Sequence, residues 1–490
     1  MRLDEYLKQT VAEAPDALAL VVGSTNLTYA ELWSRVMQWA ATLSEAGAHP
    51  GSAVVIRTDR VPDVVAAEFA CWSMGLSVTP LDSRQPPDEI LHAIDESRAD
   101  ILLAPQSLLR WVDRHTKRPL TLLADTAGAT SRNIQPCLAD RGASPALLAY
   151  TSGSTGPSKC VAISHDAARK VAECVIASAG YTPEDIMATT ISLELPIMTT
   201  TLLIPAIMQG AVVHMVNTTS PSGVIRYLQD HSVSVLLSVP YIYDRLLECA
   251  LASTLPELGA LRQCISAGVS LPPALVLRFH ATSGKLIRSI YGSAEVLTAA
   301  FNDSLNVETC AHSVGRAVDG VEIKIRDENE RDLSWGQEGE VVVFGDHLAS
   351  GYLHHPDLNA SVFHRDHVHT GDLGLLDQDG FLYLRGRRSE SINHGGFLVN
   401  PIEVENVMLE YPSVREALVW GEPHPSMHEV VIAAVVPRED IELSDLLRYC
   451  RERLASYKLP ERIEFVDRFE KIGQGKIRRP AAAGSRPQTP

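Results

Sequence analysis

Apolar residues recur at helical spacing early in the chain. Leu32, Val36, Trp39 and Leu43 fall on one face of the stretch from Thr28 to Leu43. Thr28 and Glu31 stand at capping-box spacing, which predicts that a helix starts there. Short unbroken apolar runs follow at Ala53–Ile56, Ile101–Ala104, Val233–Leu237 and Val341–Phe344. Such runs read as strands buried on both faces, and their alternation with helical patterns predicts α/β layers with mostly parallel sheets. Past Gly386 the pattern changes. The charged run Arg385–Glu390 leads into a compact βαβ-like segment, with strands near Ala417–Trp420 and Val430–Val436 and a helix over Leu443–Ala455. The expected organisation is a large multi-lobed α/β domain over 1–387 and a small α+β domain over 388–478. A Pro-, Ala- and Gly-rich tail, 479–490, is expected to be disordered.

The 490 residues exceed what one hydrophobic core supports, in keeping with two domains. Lys plus Arg number 43 against 60 Asp plus Glu, a formal charge of -17. That field disfavours nucleic acid and anionic membrane as partners, so any bound polyphosphate must be held by local devices. The cysteines (Cys71, Cys137, Cys160, Cys174, Cys249, Cys264, Cys310, Cys450) never form a CxxC pair, which argues against a disulfide framework or a zinc site. The acidic start MRLDEYLKQTVAEAPD is unlike a signal peptide, and no apolar run is long enough to span a bilayer. A cytoplasmic enzyme is the expectation.

The first chemical signal is ALLAYTSGSTGPSKCVAISH, residues 146–165. A buried strand enters a loop of glycines and small hydroxylated residues, and a helical pattern follows from Ser164. Glycines admit an anion close to the backbone, while hydroxyls and Lys159 offer donors to phosphate oxygens. The spacing differs from the GxxxxGK[ST] phosphate loop. A polar linker is the bland alternative.

Thr151-Ser152-Gly153-Ser154-Thr155-Gly156-Pro-Ser-Lys159 resembles the signature loop of the adenylate-forming superfamily, which comprises acyl-CoA synthetases, peptide-synthetase adenylation domains and luciferases. Pro and Ser are exchanged relative to that signature, and Cys160 replaces a glycine. Further resemblances follow in the family's order. Tyr291-Gly292-Ser293-Ala294-Glu295 is similar to YGxTE, implying a Tyr against adenine and a Glu that helps hold Mg²⁺; the usual Thr is Ala294. Gly268 joins the nucleotide site by the same alignment. Thr370-Gly371-Asp372 resembles the segment whose carboxylate grips the ribose hydroxyls, and Arg387 the arginine that contacts ribose or phosphate. Arg388-Ser389 falls at the family hinge, with Ser in place of Asp or Lys. Lys476 resembles the C-terminal lysine that bridges the substrate carboxylate and the α-phosphate. Taken singly, YGSAE or TGD would be an ordinary turn and Lys476 a solvated charge. In this order they imply that ATP and Mg²⁺ are used to make an acyl-AMP, releasing pyrophosphate. They also imply that the small domain is mobile about the hinge.

Glu194, in Ile191-Ser-Leu-Glu-Leu-Pro196-Ile-Met198, falls where amino-acid-activating relatives carry an Asp that binds the substrate amine. The Pro196 segment also resembles aryl- and acyl-activating relatives that read no amine. The same alignment lines the acid pocket with Met198, Ser238, Ile265, Ala267, Ile290, Thr298 and Ala299. His394-Gly395-Gly396-Phe-Leu-Val-Asn-Pro401 is closer to the acyl-CoA synthetase pattern, in which glycines pass a pantetheine arm. The expected acceptor is CoA, with the phosphopantetheine of a carrier protein as the alternative. His364, His367 and His369 suggest a metal site but lack a fourth ligand, and are set aside as one polar face of a strand. A phosphotransferase and an inactive nucleotide sensor are the competing classes.

Overall fold

A computed structural model describes residues 1–125, 145–150, 158–192, 195–218, 220–252, 258–469, 471–472 and 476–477. The early helix runs Tyr29–Glu45. Glu31 N donates to Thr28 Oγ1 (3.2 Å) and Thr28 N donates to Glu31 Oε2 (2.8 Å), so the capping box is formed. Leu32, Val36, Trp39 and Leu43 are buried, and the helix packs on its neighbour Val61–Ser73.

Two large sheets make up most of the big domain. In the nine-stranded sheet, Leu18–Val22, Val212–Met215, Ile186–Thr189, Val235–Ser238, Gln263–Ser266 and Ile287–Ser293 lie side by side and parallel, with antiparallel strands at both edges. In the seven-stranded sheet, Thr121–Ala124, Ile101–Ala104, Ala53–Ile56, Ser77–Pro80 and Pro145–Tyr150 are parallel. Cys160–Ser164 and Gly351–Tyr352 add antiparallel strands. The expected parallel layers are therefore present. A third sheet departs from them: Glu322–Arg326, Gly339–Phe344, His367–Leu376 and Leu382–Arg387 are all antiparallel. Its outer strand alternates, Ile323 and Ile325 inward and charged residues outward, as a sheet wetted on one face requires.

The small domain has its own core, built from residues including Val399, Val404, Met408, Val419, Val431, Val435, Leu446 and Cys450. Val414–His424 and His428–Pro437 form a hairpin. The parallel crossover comes one element later, from His428–Pro437 through helix Leu443–Arg451 to Arg462–Phe465. The helix stops short of the expected Ala455 because the chain turns to bury Leu454 and to pair Lys458 with Glu403 (2.6 Å). Between the domains, helix Pro401–Leu409 lies against helix Pro273–Ser283. Arg438 reaches Asp244 (2.9 Å) and Glu248 (2.8 Å) on helix Pro240–Ala252. Among the described residues no helix is long and apolar enough to cross a membrane.

Candidate active site

The loop 151–157 lies outside the described residues, but its two ends are fixed. Tyr150 and Cys160 pair across antiparallel strands, and the helix expected from Ser164 follows the second strand. Ser164 caps that helix through Ala167 N (3.0 Å). Cys160, where the family has glycine, is fully buried with Leu148, Ala162 and Leu353. Burial pushes its thiol up to about 12, so it fills space and is not a nucleophile.

Lys159, at the loop's exit, sits with Nζ 5.5 Å from the centre of the Tyr352 ring. The Tyr352 hydroxyl donates to Glu295 Oε1 at 2.7 Å. Burial first, then the Glu295 charge, raises the Tyr352 pKa and keeps the phenol a donor. A cation, an aromatic ring and a carboxylate thus stand in sequence beside the phosphate loop. Tyr352 carries no periodic or compositional signal, which is why the sequence alone did not single it out.

The second grouping is tighter. Asp372 accepts from the Tyr291 hydroxyl at Oδ2 (2.7 Å) and from Arg387 Nε at Oδ1 (3.1 Å). Its own N–H donates to Thr370 Oγ1 (3.1 Å), and Thr370 donates on to the Val341 carbonyl (2.7 Å). Asp372 and Arg387 oppose each other in adjacent strands, so the ladder itself sets their approach. Gly371 turns at φ 71, a conformation that favours glycine, and its N–H donates to Glu340 Oε1 (3.1 Å). Burial raises the Asp372 pKa; Arg387 and Tyr291 oppose that without cancelling it. For Arg387, burial works against the charge, yet Asp372, Glu390 and Glu295 together raise its pKa. Gly292 cannot be replaced at this site, because a Cβ there would lie 1.7 Å from the Leu297 carbonyl oxygen. Ser293 Oγ accepts from Glu295 N (3.2 Å), fixing the turn that presents Glu295. Gly268 takes φ 87 with open space around its Cβ position.

The residues assigned to the acid pocket are all buried, but they divide. Met198, Ile265, Ala267 and Ile290 belong to one apolar cluster, and Ala299 to another that holds Tyr291. The parallel register aligns Ser238 with Ser266 and Ser266 with Ser289, on the sheet face opposite Ile265. Thr190 extends this hydroxyl row through a 2.6 Å hydrogen bond to Ser238. The row lies at the carboxyl ends of parallel strands, where open α/β sheets bind ligands. The hydroxyls of Ser266, Thr298 and Thr199 are buried without a hydrogen-bond partner among the described residues. The turn after Met198, Thr199–Leu203, is a π-helix, a local irregularity that recurs at functional sites. Glu194 lies outside the described residues.

Arg388 and Ser389, the expected hinge, sit in a 3-10 turn, Arg388–Glu390, directly after the strand that carries Arg387. Gly395 and Gly396, at φ 60 and 91, make the exposed turn between Ile392–His394 and Phe397–Val399. Lys476 begins a short strand that pairs with Lys471–Ile472; its side chain is outside what is described. The residues expected at the nucleotide are thus gathered from three sheets: Tyr352, with Lys159 just before a strand, from the seven-stranded sheet, Tyr291 from the nine-stranded one, and Asp372 and Arg387 from the antiparallel one.

The sequence matches the AMP-binding enzyme family model over residues 7–353 and that family's C-terminal domain model over 403–476. Feruloyl-CoA synthase of Amycolatopsis sp is 29% identical over 471 residues, 95% of each chain. The 2-succinylbenzoate–CoA ligase of Bacillus licheniformis is 28% identical over 478 residues, 97% of this chain and 98% of the relative. Among solved structures, o-succinylbenzoate CoA synthetase of Bacillus subtilis, in complex with its acyl-adenylate intermediate, aligns with a TM-score of 0.88. Its identity is 26%, and the match covers 98% of each chain.

Proposed function

This chain belongs to the AMP-binding enzyme family, and from that premise we propose that it is an AMP-forming acid–CoA ligase acting on an aromatic or similarly apolar carboxylic acid. The observation that carries the reading is the buried Tyr291–Asp372–Arg387 grouping beside the hinge. A carboxylate held between a phenol and a guanidinium, with its pKa raised by burial, gains from further donors, and the two hydroxyls of a ribose supply them.

The first half-reaction joins a carboxylate oxygen of the acid to the α-phosphorus of ATP while the bond to pyrophosphate breaks. Lys159 and the preceding loop hold the leaving phosphates, and Arg387 lies beside the ribose. Lys476 supplies a positive charge where negative charge grows on the α-phosphate. Glu295 fits a magnesium ion, being a hard oxygen donor with Oε1 oriented by Tyr352, and such an ion would neutralise phosphate charge. In the second half-reaction the CoA sulfur attacks the acyl carbon and AMP leaves. Lys476 and the thiol cannot occupy the same place, so the small domain turns about Arg388–Ser389 between the steps. The exposed turn at Gly395 and Gly396 then admits the pantetheine arm.

The buried Met198 supports an apolar acyl group, and the hydroxyls of Ser266 and Thr298, without a partner among the described residues, offer hydrogen bonds to a ring substituent; Ile265 and Ile290, on the other face of their strands, pack behind the hydroxyl row. The names of the feruloyl and succinylbenzoate relatives support the same class of acid, and CoA over a carrier protein. The test is product analysis with a panel of hydroxycinnamic, benzoic and aliphatic acids. AMP, pyrophosphate and an aryl-CoA are expected. ADP as the nucleotide product would overturn the reading, as would transfer to a carrier protein with none to CoA.

A further inference from the structure

We propose that His364, His367 and His369 form a binding site for one divalent transition-metal ion of the zinc class, on the antiparallel sheet, with ligands distinct from the residues of the nucleotide grouping. One ring nitrogen of each histidine lies within 4.8 Å of the other two. A point therefore exists no more than about 2.8 Å from all three, against ~2.0–2.1 Å for a zinc–imidazole bond. Side-chain rotations of under about one ångström each close that gap.

The backbone already holds the ligands together. His367 and His369 share a face of strand His367–Leu376, because the intervening Val368 points into the core. His364 returns to the same face through a tight turn closed by its N–H on the His367 carbonyl (2.9 Å), and the His364 and His367 rings stack at 4.6 Å. A carboxylate from a different strand connection stands beside them: Glu330 Oε2 is 3.4 Å from His369 Nε2, and a turn of its side chain toward the histidines would supply the fourth ligand. Spacing within the histidine segment could not reveal it.

The nitrogens that face away from the site are also provided for. His369 Nδ1 faces Glu340 Oε2 at 3.5 Å, and His367 Nδ1 is 2.8 Å from Asp366 Oδ1. A carboxylate behind a ligating imidazole fixes its tautomer and strengthens it as a donor. Both rings therefore present Nε2 inward. Arg326 Nη1 now lies 3.4 Å from His367 Nε2 and 3.4 Å from Glu330 Oε2. An incoming cation displaces it, and it keeps Asp332 (2.8 Å) and the Phe344 ring (5.1 Å) as partners. Nitrogen ligands with one carboxylate select zinc-like ions over magnesium, which takes oxygen.

The test uses the full chain, chelator-treated and with thiols blocked, titrated with zinc alone by calorimetry. One saturable equivalent per chain is expected. The His367→Ala/His369→Ala variant should bind at least ~100-fold more weakly, and Glu340→Gln ~10–100-fold more weakly as the loss of an outer-shell partner. Replacing zinc with cobalt(II) should give the visible bands of a low-coordinate nitrogen site. No equivalent bound, or zinc binding unchanged in the double variant, overturns the site. Should the double variant fail to fold, absence of those cobalt bands in the unaltered protein overturns it instead.

Discussion

Replacing Asp372 with Asn separates what the carboxylate does for the nucleotide from what it does for the fold. The side chain keeps its shape but loses its charge, and its amide can no longer accept at both positions now used by Tyr291 (2.7 Å) and Arg387 (3.1 Å). Loss of a hydrogen bond to a charged group costs about 1.5–3 kcal/mol, or roughly ten- to a hundredfold in affinity. ATP affinity should therefore fall by about that factor, read by calorimetry and by the nucleotide dependence of pyrophosphate exchange. Stability should respond differently. Burial raises the Asp372 pKa, so the folded protein binds that proton more tightly than the unfolded chain does. Its contribution to stability is present in acid and is lost as pH rises through the raised value. Asn imitates the protonated form, and Arg387 retains Glu390 and Glu295 as neighbouring charges. The nucleotide-free variant should thus melt at or above the parent's temperature at neutral pH. Normal ATP affinity together with a lowered melting temperature would refute the argument, because Asp372 would then be a structural ion-pair partner.

Lys476→Ala should slow acyl-AMP formation about 10²–10³-fold yet still pass a supplied acyl-AMP to CoA; equal loss of both half-reactions removes Lys476 from the first. Tyr352→Phe keeps the ring facing Lys159 but frees Glu295 Oε1. It should raise the magnesium concentration needed for pyrophosphate exchange about tenfold, the cost of one charged hydrogen bond, and an unchanged requirement would contradict the assignment of Glu295. His165, His214 and His347 are each pulled down to about 4 by burial, from an ordinary value near ~6.5. The unfolded chain binds more protons across that window, so stability should fall as pH falls through it, by up to roughly 3 kcal/mol per histidine. His347→Gln should flatten the melting profile there, and a profile already flat in the parent would exclude the effect.

Local rules were legible wherever neighbours in sequence are neighbours in space. Thr28 and Glu31 announced their helix, and the apolar runs announced their strands. Asp372 and Arg387 could be found only through ordered motifs, since nothing in their spacing shows that a ladder sets them opposite each other. The pocket residues show a further limit. An alignment named Ser238 and Ile265 together, but strand register sends their side chains to opposite faces. Tyr352 and Glu330 are tied to their neighbours at the sites by contacts with Glu295 and His369, distant in sequence, and such contacts leave no periodic trace. In the small domain the βαβ-like pattern did not say which strands run parallel, because apolar periodicity marks strands without giving their direction.

Arg438 anchors the small domain on Asp244 and Glu248, one turn apart on helix Pro240–Ala252. That helix follows directly from the strand ending at Ser238, a residue of the proposed acyl site. One helix therefore starts beside the proposed acyl site and carries the contact with the small domain. On the proposed function, a substitution at Ser238 that shifts the start of this helix would be felt at that contact as well, which would couple selectivity to turnover. Arg438 would then be a second position to adjust when the acid is changed.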